Sequence, residues 1–276
     1  MVTFRGIQGP LEAYLSRPET TEARPAVVVI HDIWGLANHT MDVANRFARE
    51  GYVALAPNLF SSDQDLASLI TPQNVGITMG FMQTLAPERR ADTVYVQQEL
   101  LKQPAKTREV AQKVMGTVFG GMPKEELTME AVRAVEYMNS REDVRKGSVG
   151  TVGFCFGGGI SINIACHTKT EACVVFYGEN PSPIELVEKI QCPVLGLYGG
   201  EDMRINASLD KLVAAMVSYK KDFQMKLYPG APHAFFNDTS KTTYREEAAK
   251  EAWDRTLRFF ASSLKKSTGT RTDASN

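Results

Sequence analysis

The apolar positions of this chain fall into two alternating textures. Short runs, most of them unbroken and rich in β-branched residues, occur at 26–31 (AVVVIH), 52–56 (YVALA), 148–153 (SVGTVG), 172–176 (ACVVF), 194–198 (VLGLY) and 223–228 (FQMKLY). Runs without a polar face suit strands of a parallel sheet covered on both sides. Stretches with helical spacing lie between and after them. At 40–50, Met41, Ala44, Phe47 and Ala48 make one stripe, closed by Gly51. Further helical patterns cover 125–139, 160–167, 207–218 and 241–264. This repeated βα order predicts an α/β fold, a mostly parallel central sheet with helices on both faces. Residues 3–15, broken by Gly6 and Gly9, read as an antiparallel edge hairpin feeding that sheet.

Between 61 and 123 the pattern changes. Residues 61–73 are polar, 77–85 and 93–118 are helical in texture, and no strand signal appears before the Gly120-Gly121-Met122-Pro123 break. The segment reads as a helical insert, either a set of surface helices or a partial cap over a pocket at the sheet's carboxyl edge. The expected organisation is one domain over 1–266 carrying this insert, followed by a polar, disordered tail at 267–276.

Composition narrows the function. The chain has 276 residues, 43% of them hydrophobic, which is enough for a sizeable core. Its 31 basic residues balance 32 acidic ones, so the overall charge favours neither nucleic acid nor an anionic membrane as a partner. The first 16 residues carry no apolar core of a secretory leader, and no apolar run approaches a membrane span. A cytoplasmic protein with reduced cysteines is the expectation. The four cysteines, at 155, 166, 173 and 192, show no C-x-x-C pair that would suggest zinc. The question is whether one of four thiols is special.

Cys155 stands apart because Gly153-Phe154-Cys155-Phe156-Gly157 follows one strand pattern directly and opens a helix. In the serine version of this motif the nucleophile sits on a sharp strand-to-helix turn, and glycines two residues to either side make the fold-back sterically feasible. A helix N-terminus and a nearby histidine both favour thiolate. Four histidines compete for the role of base. His233 lies in a Pro- and Gly-rich loop after the last strand, at the sheet edge where Cys155 is expected. His31, at the end of the first strong strand, is its main rival. His39 begins a helix, and His167 reads as a helix C-terminal charge. An acid is needed to orient the base, and Asp202 after the strand VLGLY is the natural candidate, with Glu201 as runner-up. Two backbone amides should form an oxyanion hole: Phe156, after the nucleophile, and Ile33, in the turn after AVVVIH. Trp34 in the same turn lines the pocket.

Together these pieces resemble the dienelactone hydrolase family, a cysteine-nucleophile branch of the α/β-hydrolases. The matching motifs are IHDIWGL at 30–36, GYVALAPNLF at 51–60, GFCFGG at 153–158, LYGGED at 197–202, GAPHAFFND at 230–238 and the helix YREEAAKEAWDRTLRFF at 244–260. The resemblance implies hydrolysis of a small-molecule lactone or ester through a thioester acyl-enzyme, with neither metal nor organic cofactor. Cys155 is then nucleophile, His233 base and Asp202 orienter. Two positions depart from the family pattern. Asp32 stands where the family places a Glu that can interact with the resting thiol. Asn237 stands where it places an arginine for the substrate carboxylate, leaving Arg89 or Arg90 of the insert as alternative anchors. Asp32, Trp34 and Asn237 are thus the expected residues for gating the thiol or contacting substrate. The alternatives are a broad short-chain carboxylesterase, or a non-catalytic thiol sensor or binding module on the same fold.

Overall fold

A computed structural model of the chain describes residues 1–90 and 92–264. The expected disordered tail at 267–276 lies outside the described residues. Eight strands form one sheet: β1 (Val2–Arg5), β2 (Pro10–Ser16), β3 (Arg24–Ile30), β4 (Val53–Pro57), β5 (Val144–Phe154), β6 (Ala172–Phe176), β7 (Val194–Gly199) and β8 (Phe223–Tyr228). Their order is β1-β2-β4-β3-β5-β6-β7-β8. The hairpin β1–β2 pairs antiparallel and joins β4 antiparallel, whereas every pair from β4 to β8 is parallel. The predicted α/β architecture is therefore the observed one.

The helices are α1 (Asn38–Arg49), α2 (Gln64–Leu69), α3 (Pro72–Thr84), α4 (Thr93–Leu101), α5 (Ala105–Gly120), α6 (Lys124–Ser140), α7 (Phe156–His167), α8 (Met203–Asn206), α9 (Leu209–Ser218) and α10 (Glu246–Leu264). One face of the sheet packs Val27, Val29 and Val152 against Phe47 of α1 and Phe260 of α10. The other packs Val28, Ile30 and Val149 against Val132 and Val135 of α6 and Ile160 and Ile164 of α7. This two-sided cover explains why β3 reads as a continuous apolar run, Ala26 to Ile30 being wholly buried.

The insert differs from its sequence reading in two places. Residues 61–73 contain the short helix α2, nucleated by Asp63, whose carboxylate accepts the amides of Asp65 and Leu66. The stretch 93–118, read only as helical in texture, is two helices, because Pro104 cannot donate the amide a continuous helix needs. Phe81, Leu85, Leu100 and Ala111 give the insert a small core of its own. Val114, Val118 and Met122 belong instead to the apolar cluster that includes Val28 and Leu59.

Glu130, only 2% exposed, ties three distant segments together. Its carboxylate accepts the amides of Ile7 (2.9 Å) and Gln8 (3.2 Å) in the β1–β2 turn and the hydroxyl of Ser62 (2.5 Å) at the start of the insert. Hydrogen bonds to a charged group are the stronger kind, and their donors lose a partner if it is removed. Glu130→Ala should lower stability by about 2–3 kcal/mol, read as a shift in the urea midpoint at constant slope; an unshifted midpoint would count against this role.

Candidate active site

The carboxyl ends of β3, β5, β6, β7 and β8 bring the functional side chains together. Cys155 follows β5 and precedes α7, with φ 56° and ψ −117°. A left-handed conformation in a residue with a side chain costs about 1–3 kcal/mol and persists only where surroundings impose it. Here the imposing contacts are backbone contacts. A Cβ on Gly153 would stand 1.8 Å from the carbonyl oxygen of Gly157, and one on Gly157 would stand 2.3 Å from that of His31. Strand, turn and helix thus interlock through glycines, and Cys155 remains partly exposed at the apex.

Asp202 follows β7. It is 5% exposed and caps α8 by accepting the amide of Ile205 at 3.4 Å. His233 follows β8. The two loops are bonded to each other, Gly200 N–H to the Tyr228 carbonyl (2.8 Å) and Glu201 N–H to the Ala231 carbonyl (3.0 Å). His233 Nδ1 hydrogen-bonds Asp202 Oδ2. Burial pulls the imidazole pKa down, but the bond to Asp202 and the influence of the nearby Cys155 outweigh it and raise the value from 6.5 to about 9. Glu201, the alternative acid, is exposed.

The rival histidines are occupied elsewhere. Wholly buried His31 accepts the Leu59 amide at Nε2 (3.1 Å), which leaves Nδ1 to donate to the Asp32 carbonyl (2.6 Å). Burial, partly opposed by that carbonyl, lowers its pKa to about 4. His39 pairs with Asp238 at 3.2 Å. His167 bonds the carbonyl of Asn163, one turn back along α7. Cys166, Cys173 and Cys192 are free, buried thiols in the apolar cluster between α7 and α9, and burial raises their pKa values. Among the described residues no cluster of His, Cys, Asp or Glu is placed to hold a metal ion.

Cys155 and His233 open into a cavity of about 650 Å³ that Ile33, Trp34 and Phe156 also line. The Phe156 amide is the first of α7, where no intrahelical acceptor exists. Asp32 fixes the turn carrying Ile33 by accepting the Trp34 amide at 2.8 Å. Burial raises the Asp32 carboxyl pKa to about 6 against the opposing pull of that amide and of His233. Asn237 is not among the cavity-lining residues. Its carboxamide oxygen accepts from Thr239, at 3.0 Å from the amide and 2.7 Å from the hydroxyl. Arg89 and Arg90 are also outside the lining, and Arg89 pairs with Asp92 at 2.8 Å.

Several lining or neighbouring residues had no sequence signal strong enough to single them out. Tyr177, after β6, is buried with φ 40°, its ring 5.1 Å from that of His233. Its place after a strand at the active edge was the available clue. Lys124 and Arg204 line the cavity and share Glu179, at 2.5 Å and 2.6 Å. The insert supplies Val118 to Met122.

Among the described residues no helix is long and apolar enough to cross a membrane. Residues 11–264 match the Dienelactone hydrolase family. A Saccharolobus solfataricus protein provisionally named a carboxymethylenebutenolidase is 40% identical over 249 residues, covering 90% of this chain and 93% of that protein. Among solved structures, a provisionally named dienelactone hydrolase of Klebsiella pneumoniae aligns with TM-score 0.70 at 24% identity, covering 93% of this chain and 96% of that one. A dienelactone hydrolase-like promiscuous phosphotriesterase from metagenomic libraries aligns with TM-score 0.69 at 18% identity, covering 95% and 98%.

Asp202→Asn removes the strongest contact holding His233 protonated, so the imidazole, followed by NMR, should titrate well below 9. A group whose pKa is raised on folding stabilises the fold below its unfolded value of about 6.5 and loses that contribution as pH climbs through the folded value. The stability advantage of wild type over Asp202→Asn, read from urea midpoints, should therefore be largest at pH near 6 and shrink toward pH 9. An advantage that grows over that interval contradicts the assignment.

Proposed function

The chain belongs to the dienelactone hydrolase family, and on that premise we propose that it cleaves a lactone or carboxylic ester through Cys155, His233 and Asp202. One observation carries the reading: His233 is bonded to the buried Asp202 carboxylate and lines the same cavity as Cys155. With Nδ1 committed to Asp202, Nε2 is the nitrogen left to exchange a proton with sulfur.

Four steps follow. His233 holds the proton that Cys155 has given up, as an imidazolium beside a thiolate, and that thiolate adds to the substrate carbonyl carbon. The amides of Phe156 and Ile33 hold the oxygen that gains the negative charge. The tetrahedral adduct collapses to a thioester as His233 gives its proton to the departing alkoxide, which in a lactone stays tethered to the acyl group. Water, losing a proton to His233, adds to the thioester; sulfur then leaves as the thiolate and the carboxylic acid is released. Asp202 stabilises the imidazolium formed twice in the cycle. The insert serves as a partial cap on a single domain, a reading supported by Val114, Val118 and Met122 sharing the main apolar cluster.

Cys155→Ala should abolish turnover of small activated esters and enol lactones. Asp202→Asn should reduce kcat by about 10²–10⁴, the range expected when a base loses its orienting carboxylate. With His233→Ala and an activated ester, mass spectrometry should find one acyl group on Cys155, because deacylation has lost its base. Wild-type turnover in Cys155→Ala, or an acyl group on another residue, would sink the proposal.

A further inference from the structure

The cavity walls speak to the substrate that the proposed chemistry would act on, and the inference here rests on that reading. The insert reaches the mouth as the end of α5 and the glycine break after it. There Phe119 is 63% exposed, an unusual state for a large aromatic ring. It is not a stray surface residue, since it lines the cavity and meets Trp34 edge to face with centroids 5.9 Å apart. Trp34 comes from the turn that also presents Ile33. Val118, Met122 and Ile160 continue the same apolar lining.

The polar lining points the same way. Lys124 and Arg204 are both engaged by Glu179, so the cations at the mouth are already partnered. A substrate carboxylate would have to compete with Glu179 for them, and neither Asn237 nor Arg89 lines the cavity. A volume of about 650 Å³ lies well inside the range for drug-sized ligands and far above the need of a bare five-membered lactone.

We infer that the preferred substrate is an uncharged ester or lactone bearing an aryl or medium-chain apolar arm. That arm packs against the wall that Phe119 and Trp34 make together, and Phe119 sets the preference for it. Specificity would then come from burial of the arm, worth about fourfold per methylene desolvated.

The test compares p-nitrophenyl hexanoate, p-nitrophenyl acetate and the p-nitrophenyl monoester of adipic acid, whose chain ends in a carboxylate. Wild type should favour hexanoate over each of the others by at least about tenfold in kcat/KM. Phe119→Ala should cut the hexanoate-to-acetate ratio about fivefold or more, and Phe119→Leu should restore much of it. A calorimetric titration of Cys155→Ala with the same esters reads the cavity without turnover. Hexanoate should bind more tightly than adipate, and adding Phe119→Ala should erase that difference. Adipate equal to or better than hexanoate in binding or rate overturns the inference, as does a ratio indifferent to Phe119→Ala. Ester binding with the predicted order but turnover independent of Cys155 would instead overturn the proposed mechanism.

Discussion

Everything at this site depends on how closely the backbone folds back on itself at Cys155. Gly153 and Gly157 leave no room for a β-carbon, because each would collide with a carbonyl rather than with a side chain that could move aside. The collision at Gly157 involves His31, so the turn after β3 and the turn after β5 are pressed together. Both turns then border the cavity into which Cys155 opens, through Ile33 and Phe156. The left-handed backbone at Cys155 is held by this interlock, and the thiol projects from its apex into the cavity.

The charges around the site are arranged with few spare partners. Asp202 is buried, yet it caps a helix and receives the His233 ring. His31 spends both ring nitrogens on backbone, which makes it a brace for the Asp32 turn and removes it as a base. Asp32 in turn gives one oxygen to the Trp34 amide. Asp202, His31 and Asp32 thus each have a fixed partner.

The sheet and the elbow were legible in the sequence because both leave short-range marks. Continuous β-branched runs report two-sided burial, and G-x-C-x-G reports a turn that larger residues cannot make. The order of Cys155, Asp202 and His233 along three strand ends was legible for the same reason, since a parallel sheet gathers its strand ends at one edge. The insert was read less well. The cap of α2 by Asp63 is a single side chain in a polar stretch, and Pro104 stood inside an otherwise helical texture. Long-range pairings left no local trace at all: Glu130 with the β1–β2 turn, Glu179 with Lys124 and Arg204, Phe119 with Trp34. The expected role of Asn237 rested on alignment to a family position, whereas its side chain is spent on Thr239 within its own loop.

The loops of Asp202 and His233 are bonded to each other and hang from β7 and β8, and β8 is an edge strand of the sheet. Cys155, Asp202 and His233 stand far apart along the chain, so their meeting depends on β7 and β8 being paired in the sheet. Fraying of β8 at that edge would carry the His233 loop away from Cys155.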